Sequence, residues 1–128
     1  MNVNCLSLKG GIRRKEMKYI ALLYGVEDNK EPTPEEMQPW FDFNEKYKEY
    51  IVGGEALLPT NTASSLSEAT GKLVVSDGPF AETKEALGGF YVLECKDMQQ
   101  ALDVAKEIPS AKYGTIEVRP VMVIPGED

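Results

Sequence analysis

The residues best placed to do chemistry are Asp77, Glu82 and Lys84, which fall within one short stretch of chain. A carboxylate beside an ammonium on a partly buried loop can be tuned for proton transfer, because each charge shifts the other's proton affinity. Arg119 lies in the last apolar segment with Glu117, two residues away and therefore on the same side of a strand, so it could add a guanidinium to a pocket on a sheet face. Asp77, Glu82, Lys84 and Arg119 are the candidate ligand contacts, and the first three are the candidate catalytic groups. The chain has no histidine. That removes the usual general base near neutral pH and the commonest metal ligand, and it excludes Ser-His-Asp and Cys-His machinery. Any acid–base chemistry must then use carboxylates, Lys, Tyr or Cys, and if the protein is an enzyme, a lyase- or isomerase-type proton transfer with a carboxylate base is the reaction class expected. The two cysteines, Cys5 and Cys95, form no Cys-x-x-Cys, so neither a disulfide framework nor a Cys-rich zinc site is expected. No metal and no cofactor are expected.

The same residues have a plainer reading. Asp77-Gly78-Pro79 is a turn: Asp accepts from nearby backbone amides, Pro fixes its own φ, and Gly tolerates the unusual conformation before it. Asp77 could cap that turn only, and Glu82, Thr83 and Lys84 could only staple the loop to a sheet. Phe80 is expected to tuck into the core and anchor the loop. Glu117 and Arg119 read more readily as members of a cross-strand ion pair than as pocket residues. Trp40, Phe41 and Tyr47 read as core or dimer contacts, and Cys95 as an inert buried thiol. Gly53-Gly54 and Gly88-Gly89 lack the Gly-x-x-x-x-Gly-Lys spacing of a phosphate loop and read as a helix stop and a strand opening.

The elements that would position these groups follow from periodicity. Lys18 to Tyr24 is a buried strand. Thr33 caps a helix with Pro34 at its first position and Glu36 completing a capping box. Met37, Trp40, Phe41, Tyr47, Lys48 and Ile51 continue it at helical spacing, Lys48 being the polar exception, with a kink or a restart expected at Pro39 and a stop at Gly53-Gly54. Glu55 to Leu58 is extended. Ser64 to Glu68 and Lys72 to Ser76 form a hairpin around Ala69-Thr70-Gly71. Phe90 to Cys95 is a strand. Asp97, with Gln100 at the box position, caps a second helix whose apolar stripe is Met98, Ala101, Leu102, Ala105 and Ile108, stopped by Pro109. Thr115 to Val123 is the last strand, and Pro120 within it suggests an edge or a bulge. The order predicts an α+β, ferredoxin-like antiparallel sheet with two helices on one face. The other face needs a cover, so a homodimer packed sheet on sheet is expected.

Bulk properties narrow the partners. The net charge of −7 and pI near 4.7 disfavour nucleic acid, and no stretch reaches transmembrane length, so neither nucleic acid nor membrane is an expected partner and the default location is cytoplasmic. Residues 17–128 read as one domain and 1–16 as a leader. Arg13-Arg14-Lys15-Glu16-Met17 back-translates to a purine-rich ribosome-binding site before a start codon, which predicts that translation begins at Met17. Amino-terminal sequencing of the native protein tests this, and a chain beginning at Met1 contradicts it. Val3, Cys5 and Leu6 of the leader could pair against an edge or a neighbouring chain.

The run Asp77-Gly78-Pro79-Phe80-Ala81-Glu82-Thr83-Lys84-Glu85, with Gly88-Gly89-Phe90-Tyr91 after it, resembles the signature of the DGPF proteins, a branch of the YCII-related family. The resemblance extends to Lys18-Tyr19, Pro34-Glu35-Glu36-Met37, Gly53-Gly54-Glu55-Ala56-Leu57, Ile108-Pro109 and Glu117-Val118-Arg119-Pro120-Val121. It implies a ferredoxin-like chain pairing as a dimeric α/β barrel. It also implies two functions to weigh. One is a small-molecule binder or enzyme with its pocket between helices and sheet or at the dimer seam. The other is a non-catalytic accessory, because some DGPF genes lie beside sigma-factor genes. Relatives with clearer chemistry carry a His–Asp pair. This chain lacks the histidine, which leaves Asp77 as a ligand contact rather than half of that pair.

Overall fold

The structure is a computed structural model and describes residues 17–28 and 30–126. The expected leader and the pairing of Val3, Cys5 and Leu6 lie outside the described residues. Four strands make the main antiparallel sheet: β1 (Met17–Gly25), β2 (Ile51–Ala56), β5 (Ala86–Cys95) and β6 (Thr115–Pro120), in the order β2-β5-β1-β6. The central pair, β1 and β5, carries apolar residues on both faces. Between β2 and β5 the chain makes a separate hairpin of β3 (Ser64–Ser67) and β4 (Val74–Asp77), with Leu66 opposite Val75. Strand β6 is an edge and Pro120 is its last residue, where a missing amide donor does least harm. Residues 121–123, expected to continue that strand, lie outside it. One further bond, from the Val121 N–H to the Lys18 carbonyl, follows its end.

Both helices pack on one face. Helix α1 (Pro34–Lys46) starts as its sequence dictates: Thr33 Oγ1 accepts from the Glu36 N–H at 3.2 Å, and Glu36 Oε1 accepts from the Thr33 N–H at 2.9 Å. It runs through Pro39 without the expected restart. The proline deprives only the Glu35 carbonyl of a donor, and both residues are exposed, so water can serve that carbonyl. Helix α2 (Met98–Ala105) is capped by Asp97 Oδ1, which accepts from the Gln100 N–H at 2.9 Å. The Gln100 side chain accepts instead from the Lys96 N–H, one residue before the cap. Phe43 from α1 and Ala101 and Ala105 from α2 meet Ala21, Leu93 and Cys95 from the sheet, and all six are buried.

The expected helix stop at Gly53-Gly54 is corrected. Helix α1 ends at Lys46, and Ile51 already begins β2, so both glycines are strand residues. Their task is close approach of two strands. Gly54 has φ +153°, and a Cβ there would lie 2.6 Å from the Phe90 carbonyl oxygen. A Cβ on Gly89 would lie 2.9 Å from that of Glu55. Strand β5 likewise begins at Ala86, before the expected Phe90, so Gly88-Gly89 sit inside it rather than at its opening.

Side-chain alternation gives the sheet a second face. Ile20 and Leu22 alternate with buried Tyr19 and Ala21, and Phe90 and Val92 with Tyr91 and Leu93. The helix-side residues join the core, whereas Ile20, Leu22, Phe90 and Val92 are only partly buried.

Candidate functional site

Asp77 closes β4 opposite Ser64. The turn after it is held by its own arm. Gly78 has φ +94°, its N–H donates to the Ala63 carbonyl at 2.6 Å, and its carbonyl accepts from Ser65 Oγ at 2.7 Å. The Asp77 carboxylate takes no part in these bonds and is exposed, so it does not cap its turn. Phe80 corrects a second expectation: it is 94% exposed and anchors nothing in the core. The β3–β4 hairpin that precedes it joins no strand of the main sheet. Glu82 and Lys84 are also exposed. The residue that fastens this loop to the sheet is Glu85, whose Oε1 accepts from Thr115 Oγ1 at the start of β6 at 3.0 Å, while Thr83 Oγ1 donates to the Glu85 carbonyl.

Arg119 faces away from the helices, opposite Ile20, and Glu117 lies two residues along, opposite Leu22. Among the described residues the only ion pairs are Lys48–Glu45 and Lys106–Asp103, so the cross-strand pair expected of Glu117 and Arg119 does not form. No hydrogen bond or ion pair among the described residues joins Asp77, Glu82, Lys84 and Arg119 to one another, and none of the four lines either of the two clefts below.

The larger cleft, about 1440 Å³, opens beside α1. Trp40, Phe43 and Tyr47 supply aromatic surface, and Lys46, Lys106 and Lys112 are among its charged lining residues, together with Glu27 and Asp28. The Phe43 and Tyr47 rings lie 5.1 Å apart, and Lys46 Nζ sits 5.3 Å from the Tyr47 centroid. One wall is fixed by a clamp. The Glu27 carboxylate accepts from the Thr60 N–H and from Thr60 Oγ1, each at 2.8 Å, tying the loop after β1 to the short 3₁₀ turn Thr60–Thr62. The smaller cleft, about 370 Å³, is lined by Asn44, Lys48, Ile51, Gly53, Gly54 and Tyr91. There the Tyr91 hydroxyl donates to Asn44 Oδ1 at 2.7 Å, and burial pushes that hydroxyl above the ordinary phenol range. On its rim Lys48 is raised by its hydrogen bond to Glu45.

The large cleft combines aromatic surface with charges of both signs, which suits capture of an amphipathic small molecule. Among the described residues no group of three or more Cys, Asp or Glu side chains could hold a metal ion. The sequence reads Trp40, Phe41 and Tyr47 as core or dimer contacts; Trp40 and Tyr47 do pack against the core, whereas Phe41 is 56% exposed and is not a core residue of this chain. That reading misses that Trp40 and Tyr47 also line a cleft. Their spacing with Phe43, at i, i+3 and i+7 along α1 to its C-cap, is the signal the sequence offers.

An antiparallel β2-β5-β1-β6 sheet with two helices on one face defines a ferredoxin-like α+β fold. Within that class the chain belongs to the YCII-related domain family, whose family model matches residues 17–125. It is similar to an uncharacterised protein of Rhizobium meliloti (strain 1021), with 39% identity over 94 residues, covering 67% of this chain and 76% of that one. Among the described residues no helix is long and apolar enough to cross a membrane.

Proposed function

We propose that this protein is a cytoplasmic homodimer that binds a small molecule in the cleft beside α1. The observation that carries the binding role is the aromatic surface of Trp40, Phe43 and Tyr47 within a cleft of about 1440 Å³ that also carries charges. Ligand sites combine an apolar lining with a few polar groups that fix orientation. The dimer is supported by the partly buried row of Ile20, Leu22, Phe90 and Val92, which the helices leave uncovered. In this reading the second copy packs on that face and closes a barrel. Asp77, Glu82, Lys84 and Arg119 then act as polar contacts near the seam, and any turnover is a lyase- or isomerase-type proton transfer with a carboxylate base.

Thermal-shift screening of the full chain against a metabolite library tests the binding role. A stabilising ligand whose effect is lost in Trp40→Phe and Lys106→Ala supports the cleft. An effect lost in Asp77→Ala or Lys84→Ala but kept in the cleft variants moves the site to the seam. A library without any stabilising compound contradicts the small-molecule role. That result would favour a non-catalytic accessory in a sigma-factor circuit, a reading to which the exposed Phe80 ring lends support as a protein contact.

A further inference from the structure

Strands β3 and β4 form a two-stranded sheet of their own, joined to no strand of the main sheet. They pack chiefly on each other. A lone two-stranded hairpin is marginal in water, so this arm needs something to lie against. Its pairing shows which side would do so. Leu66 faces Val75 and Ser64 faces Asp77, and the two-residue alternation of each strand puts all four on one side. On that side Leu66 is 72% exposed and Val75 62% exposed. The arm therefore presents a small apolar surface with one carboxylate at its edge.

The open face of the main sheet has the matching composition. Ile20 and Leu22 run along its centre, and Arg119 stands beside Ile20 across the β1–β6 ladder. Neither Asp77 nor Arg119 has an ion pair among the described residues. The β6 edge of this face carries Arg119 beside Ile20 and Glu117 beside Leu22, so it is the Ile20 end that is complementary to an apolar strip ending in an acid. Both surfaces belong to the same chain, so two copies related by a two-fold axis can make the contact twice.

Resting on the homodimer reading above, we infer that the β3–β4 arm of each subunit lies against the open sheet face of the other. Leu66 and Val75 pack toward the Ile20 and Leu22 row, and Asp77 pairs with Arg119 of the partner subunit. The occupant of the arm's apolar side is thus a second copy of this chain. The Asp-Gly-Pro-Phe turn ends the arm and fixes where the Asp77 carboxylate stands.

Sedimentation equilibrium of the full chain tests this with Asp77→Arg, Arg119→Asp and the double variant. Each single reversal should weaken dimerisation by about tenfold or more, and the double should return to within about threefold of the original chain. Both positions are exposed, and the alternative reversals Asp77→Lys and Arg119→Glu repeat the comparison should the first pair disturb folding by circular dichroism. Singles that dimerise as the original does, or a double no tighter than the singles, overturn the inference. Leu22→Glu separates it from the reading beneath it. If Leu22→Glu gives monomers while the Asp77 and Arg119 variants stay dimeric, the sheet-face dimer stands and the arm contact fails. An original chain that is monomeric at tens of micromolar defeats both, and leaves the arm to a different protein.

Discussion

The two faces of the four-stranded sheet are built from the same strands and end in different states. On the helix side Tyr19, Ala21, Leu93 and Cys95 are at most 3% exposed. One residue along, Ile20, Leu22, Phe90 and Val92 are equally apolar and only partly buried. A strand that alternated apolar with polar would announce a sheet with one wet face. Strands β1 and β5 are apolar on both sides, so their composition asks for two covers while the two helices supply one. Stability of the single chain should reside in the first face, and association in the second.

The largest expected effect lies on the helix side. Leu93→Ala should lower unfolding free energy by about 3 kcal/mol in urea denaturation, since a fully buried leucine leaves a cavity. A loss below about 1 kcal/mol would break the contrast between the faces. Gly54→Ala should come next, at about 2 kcal/mol, because it combines a positive φ with a collision against the Phe90 carbonyl. An unchanged midpoint would mean that β2 does not approach β5 as described.

Leu22→Ala sharpens the comparison from the open side. It should remove about 1 kcal/mol or less from the subunit itself, but flatten the rise of the thermal midpoint with protein concentration, so that the loss relative to the original chain grows as concentration rises. Equal loss at every concentration would show that this face is covered within one chain. The smallest effect is alkaline. The Tyr91 hydroxyl is raised by burial, so above the ordinary phenol value of about 10 the folded state holds its proton longer than the unfolded state. The stability this group contributes is complete below that pH and declines as pH rises past it. Tyr91→Phe should flatten that decline in a pH series of urea midpoints, and a slope identical to the original would remove Tyr91 as its source.

Local chemistry was legible in the residues themselves. Thr33 with Glu36, Asp97 with Gln100, and the hairpin around Ala69-Thr70-Gly71 each depend on neighbours a few positions apart. Each element stands where those neighbours put it. The misreadings share one cause, which is information held by distant segments. Gly53-Gly54 after an amphipathic helix has the form of a stop, and only the approach of Phe90 from β5 shows why strand β2 needs Gly54. Phe80 reads as a core anchor in the sequence, yet it follows a hairpin that joins no strand of the main sheet and is exposed. The charged turn was visible as a motif. The large cleft was not, because its walls come from α1, the loops after β1 and β2, and the segment following α2.

The central claim is that a second copy covers the open face. Its most direct test is the molar mass of the purified full chain by light scattering at tens of micromolar. A dimer gives twice the 14.2 kDa of one chain, falling toward one chain in Leu22→Glu. A mass of one chain for the unaltered protein would contradict the claim.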